Sequence, residues 1–205
     1  MSRLQTLLSV ALLAGVATHA NADLAYTFDS DAQGFTVNVP AGELSHEAGG
    51  YLRIKDLTGD TNVSLILPGS AVAGGWLSYV GGTLSFDARM ESPIDSYWPE
   101  FGTITLSSTV GSLAVDVAVG DAPGLGWATY SVVLDAANWS TSPEVLASVL
   151  ANLQQVDISM EAGNGPIELL HIDNVTLSTA VPEPGTWAMS LMGLMALGWA
   201  VRRRA

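Results

Sequence analysis

The chain has 205 residues, no cysteine, and seven Lys and Arg against 20 Asp and Glu, for a formal net charge of −13. Without cysteine it has neither a disulfide frame nor a thiol nucleophile. So large an excess of acid repels phosphate backbones and anionic membrane surfaces, which excludes nucleic acid as a partner.

Residues 1–22 begin with one cation, Arg3, run apolar from Leu4 to Val16 and close on Ala20-Asn21-Ala22. That is the layout of a secretory signal peptide; the apolar run falls short of the about 20 residues a membrane span needs. The mature chain is expected to begin at Asp23. From there to Ser178 lie roughly 150 residues, the size of one domain. Its only cations are Arg53, Lys55 and Arg89.

The body alternates apolar and polar residues, the period of half-buried strands. Leu84, Phe86, Ala88 and Met90 share one face of such a run; Val63, Leu65 and Leu67, and Leu113, Val115, Val117 and Val119, form others. Further strands are expected over Tyr26–Phe28, Phe35–Val39, Tyr51–Leu57, Gly102–Ser107, Trp127–Leu134, Val156–Glu161 and Glu168–Leu177. Gly and Pro punctuate them. About ten short strands of this kind predict a mostly β fold, a β-sandwich. One helix interrupts it. Ser142-Pro143-Glu144 supplies an N-cap hydroxyl, a proline at the first helical position and an acid in the first turn. Val145, Leu146, Val149, Leu150 and Leu153 follow as one apolar stripe.

Candidate chemistry is sparse. There is no G-x-S-x-G, H-E-x-x-H or P-loop motif, and His46 and His171 stand in unrelated contexts, so no enzyme is expected. Asp29 and Asp31 precede a glycine turn. With Asp173, carried beside them if first and last strands are neighbours, they offer hard oxygens to a structural Ca²⁺. The same residues also read as an Asx-type turn without metal. Tyr97 and Trp98, in a loop after Pro93, offer aromatic faces to a glycan, as do Trp76 and Tyr79 in a Gly-rich stretch; all four serve equally as lids on the core.

The tail, residues 179–205, carries Val181-Pro182-Glu183-Pro184, a charge-free run over 186–201 and Arg202, Arg203 and Arg204. As a helix of about 1.5 Å per residue, that run approaches the thickness of a bilayer core. Trp187 and Trp199 suit its two interfaces, and the arginines are expected on the cytoplasmic side. The domain is thus anchored in the cytoplasmic membrane with its N-terminus outside. This order of parts resembles a PEP-CTERM sorting tail. The resemblance implies a Gram-negative source that makes extracellular polysaccharide, and an exosortase-type processing enzyme that recognises the Pro-Glu-Pro segment. Membrane residence is then transient, and the final location is the cell surface or the extracellular space. Pro182 and Pro184 forbid helix there and keep the segment extended, as a protease requires.

A second resemblance covers the body. W-A-T-Y-S-V-V-L from Trp127, the helix S-P-E-V-L-A-S-V-L, V-D-I-S-M-E and H-I-D-N-V-T-L are similar to the C-terminal half of laminin B (laminin IV) domains, and Phe28–Phe35 to their first strand and turn. This implies a galactose-binding-like jelly roll over residues 23–178 and a non-enzymatic role in an extracellular matrix. It also implies that Trp127, Tyr130 and Trp139 are buried. The expectation is an exported matrix protein associated with exopolysaccharide, or a carbohydrate-binding module that contacts it directly.

Overall fold

The structure is a computed structural model. It describes residues 23–180 except 39, 59–60, 95–96, 121 and 164–167, together with 193–194. The signal peptide, the sorting motif at 181–184, Trp187, Trp199, the expected membrane helix over 186–201 and the arginines at 202–204 lie outside the described residues. Among those described, no helix is long and apolar enough to cross a membrane.

Two antiparallel sheets face each other. The six-stranded sheet runs in the order β3 (Gly42–Glu47), β4 (Tyr51–Asp56), β11 (Leu169–Ser178), β6 (Thr83–Met90), β9 (Ala128–Val133). Its sixth strand, β1 (Leu24–Tyr26), also pairs with β11. The five-stranded sheet runs β2 (Thr36–Val37), β5 (Ser64–Ile66), β10 (Leu153–Ser159), β7 (Thr103–Ser108), β8 (Gly111–Asp116). The result is the expected jelly-roll β-sandwich.

Strict alternation explains why β4 and β6 form as they do. Leu52 and Ile54 on β4, and Leu84, Phe86 and Ala88 on β6, are fully buried or nearly so, while the residues between them face outward. Across the interior they meet Leu65, Ile104, Leu106, Val156 and Ile158 of the other sheet. Each of these side chains but Ala88 contributes about 1.5–3 kcal/mol when fully buried. Phe28 and Phe35 pack edge to face at 5.1 Å and join the same core.

The helix α2 (Pro143–Ala151) starts where expected: Ser142 Oγ accepts from Val145 N at 3.3 Å. Its stripe is shorter than the sequence indicates. Leu146, Val149 and Leu150 are buried, Val145 faces solvent, and Leu153 opens β10. Two short elements escaped the sequence pattern, α1 (Gly69–Val72) and a 3₁₀ turn at Leu77–Tyr79. So did β3, whose GELSHE sequence lacks apolar alternation because the strand lies at a sheet edge. Val119, expected on a strand face, instead lies beyond the end of β8. It is exposed and has a positive φ of 22°.

Candidate functional site

The outward residues of the six-stranded sheet gather what the sequence scatters. Glu43, Ser45 and Glu47 on β3 pair with Lys55, Arg53 and Tyr51 on β4. β11 then sets His171 beside Arg53 on one side and Arg89 of β6 on the other. Trp127 precedes Ala128, which pairs with inward-facing Ala88, so Trp127 shares the outward parity of Thr129. All three cations of the domain therefore stand on one sheet face, on β4 and β6.

At its centre is a group of rings. Tyr51 and Trp127 meet edge to face at 5.8 Å. The His171 ring lies 4.6 Å from Tyr51 and 6.4 Å from Trp127. The Arg89 guanidinium lies 4.9 Å from the Trp127 ring centre and 5.5 Å from that of Tyr51, within cation–π range of both. Trp127 is 42% exposed, against the expected burial, and Tyr130 is only half-buried; Trp139 is buried as expected. The exposed Trp127 thus roofs a platform instead of filling the core.

A polar chain runs alongside. Arg53 Nε donates to Glu91 Oε2 at 2.7 Å, and His171 Nε2 lies 3.2 Å from the same oxygen. The Arg53 bond holds the Glu91 carboxyl below its usual range, and His171 reinforces this. Burial pushes His171 the other way, below the usual imidazole value, with Arg89 adding to the effect. At neutral pH the pair is a carboxylate and a neutral imidazole. A carboxylate only accepts, so Nε2 carries the proton and Nδ1 is left as an acceptor. Glu47, Tyr51, Arg53, Glu91 and His171 line a cleft of about 430 Å³. Two polar atoms here are buried without a hydrogen-bond partner, Arg89 Nε and His171 Nδ1.

The residues singled out from sequence lie elsewhere. First and last strands are indeed neighbours, with Tyr26 opposite Val175, and Asp173 lies close enough to Asp29 and Asp87 for their charges to raise its pKa, after burial. The calcium set nevertheless does not assemble. Asp29 accepts from Thr27 Oγ1 at 2.6 Å, Asp31 caps the Gln33 amide at 2.7 Å, and Asp173 accepts from the Asn174 amide. Among the described residues no three His, Cys, Asp or Glu converge as metal ligands. Each acid accepts from a close neighbour in sequence, and only Asp31 does so in the Asx-type turn that the sequence also offers. Trp76 and Tyr79 are buried and so are core, not platform. Tyr97 is half-buried and bridged to Gly163, while Trp98 is 37% exposed with its amide donating to Ala162 O at 3.0 Å.

Comparison with known proteins agrees with this architecture. No curated protein matches the chain. Among solved structures, the L4b domain of human laminin alpha-2 superposes with a TM-score of 0.55 at 12% identity, covering 78% of this chain and 98% of that one. The agarase AgWH50C superposes at 0.52 with 16% identity; 76% of this chain covers only 26% of that enzyme. The C-terminal family 22 carbohydrate binding module of Clostridium thermocellum Xyn10B gives 0.49 at 11% identity, over 80% of this chain and 96% of that one. For the laminin domain and the agarase, at such identities, the likeness is one of fold. A PEP-CTERM protein-sorting motif matches residues 180–204. The Laminin B (Domain IV) family model matches residues 73–190, more than half of the chain, and the protein belongs to that family.

Proposed function

We propose that this is a non-enzymatic, exported surface protein that associates with extracellular polysaccharide through the outer face of its six-stranded sheet. The PEP-CTERM motif marks export and anchorage through the C-terminus. In this reading the signal peptide sends the domain out, residues 186–201 hold it, and an exosortase-type enzyme releases it at 181–184.

The observation that carries the glycan reading is the platform itself. A solvent-facing indole meets Tyr51 edge to face, and Tyr51 in turn lines a cleft with Arg53, Glu47, Glu91 and His171. Rings of this kind present an apolar face to the C–H side of a sugar while neighbouring polar groups take its hydroxyls.

The test is retention on the source cell's own polysaccharide. The wild-type chain should be held, and Trp127→Ala should lose most of that retention. Trp98→Ala serves as the parallel arm for the loop pair Tyr97 and Trp98. If Trp98→Ala abolishes retention and Trp127→Ala does not, the contact belongs to the loop. If the wild-type chain is not held at any salt concentration, glycan contact is refuted and surface display alone remains.

A further inference from the structure

We propose that the sheet-face platform selects an acidic saccharide, a polymer carrying carboxylated sugar units, whose carboxylate is received by Arg89 and Arg53. The proposal rests on the glycan reading above and names its ligand class.

Charge placement is one argument. Between Asp23 and Pro184 there are 20 acids and three cations, and all three cations lie on this one face. If cations served only to relieve repulsion among the acids, they would be spread over the surface.

The three cations differ in what they bind. Lys55 has Glu43 at 3.7 Å, and Arg53 commits its Nε to Glu91. Among the described residues, Arg89 makes no ion pair and no hydrogen bond, and its Nε is buried. The Tyr51 and Trp127 rings offset part of the cost of removing this guanidinium from water. They do not replace hydrogen-bond acceptors. A carboxylate would, because its two oxygens match the guanidinium fork. Arg53 keeps its four terminal N–H groups uncommitted among the described residues.

A companion group stands beside them. His171 is about 95% buried, yet its Nδ1 has no partner. With Nε2–H donating to Glu91, Nδ1 asks for a hydroxyl donor. A ligand that supplies a carboxylate and hydroxyls within one ring is a carboxylated sugar. The cleft, at about 430 Å³, falls in the usual range for small-ligand sites.

Two acids, Glu47 and Glu91, line the cleft itself and oppose a carboxylate at close range; Glu91 is already paired with Arg53, and the remaining acids of the surface act from farther off. At physiological ionic strength charges beyond about 8 Å are largely screened, so the contact groups decide.

The experiment is affinity electrophoresis of the purified full-length chain. One gel contains polygalacturonate; another contains the same polymer after its carboxyl groups are reduced to primary alcohols. Stronger retardation in the acidic gel is expected, by about tenfold in affinity, the scale of one charge-assisted hydrogen-bond pair. Arg89→Gln should fall to the neutral-polymer level in the acidic gel; a variant retarded there as strongly as the wild-type chain overturns the role given to Arg89. Equal retardation of the wild-type chain in both gels overturns the acidic selection but leaves glycan binding intact. No retardation in either gel, together with no retention on the cell's own polysaccharide, removes both. The wild-type comparison needs no variant, so a poorly folded Arg89→Gln cannot obscure the answer.

Discussion

Asp56, Glu161 and Glu168 are buried carboxylates at one end of the sandwich. Each is held by an amide: Thr58 N donates to Asp56 at 3.0 Å, Val63 N to Glu161 at 3.1 Å, and Ala162 N to Glu168 at 3.0 Å. Burial pushes Glu161 up to about 7, the Val63 amide pulls it back in part, and repulsion from Asp56 and Glu168 adds to the rise. Burial raises Asp56 and Glu168 as well. The folded state thus holds the Glu161 proton more tightly than the unfolded state does. Its contribution to stability is complete below about pH 4.5 and is lost as the pH climbs through 7. His171, lowered by burial, acts oppositely below its ordinary value. The difference between wild type and Glu161→Gln isolates the glutamate, since a glutamine oxygen still accepts from Val63. The Tm of the glutamine variant should gain on wild type as pH rises from 5.5 to 8; parallel curves would refute this. Asp56 carries no sequence signal of its own beyond closing a strand. Its tie to Glu161 and Glu168 depends on which chain segments fold together, and no local pattern reports that.

At the scale of elements, legibility followed burial. Strands β4, β6 and β11 alternate or run apolar because their inner faces fill the core, and their bounds fall within a residue or so of the sequence reading. β3 was invisible because an edge strand needs few apolar residues. Trp127 was misread because the family pattern shows a tryptophan there but not which way it points. The signal that would have found the platform was present: Arg53, Lys55 and Arg89 all occupy outward positions of alternating strands. What sequence alone does not give is that β11 lies between β4 and β6 and so brings them onto one face. That placement depends on close approach beside Gly82, whose added Cβ would collide with the Ser178 carbonyl oxygen at the end of β11. Gly124, by contrast, has open space around its Cβ position. Gly82→Ala should therefore lower stability by about 2 kcal/mol or more, as overpacking does, and Gly124→Ala should leave it nearly unchanged. Thermal denaturation of the two variants side by side checks this; equal Tm values would mean that the β6–β11 junction yields easily.

For the whole molecule, the pairing of β1 with β11 brings both ends of the domain to one place. Asp23 Oδ1 accepts from the Thr179 amide at 2.8 Å, so the expected mature N-terminus sits beside the start of the tail. The two ends of the described domain thus meet at a single corner. The C-terminal peptide mass of the extracellular form should end near Pro184; a form that keeps Arg204 would make the protein a permanent single-pass anchor. The same corner has a mechanical consequence. Tension arriving through residue 180 enters β11, ten residues long and hydrogen-bonded to β4 and β6 along its flanks. A ligand gripped on those neighbouring strands would pull against it lengthwise. The ladders are then loaded in shear, where many hydrogen bonds must fail together, and not unzipped one at a time from an edge.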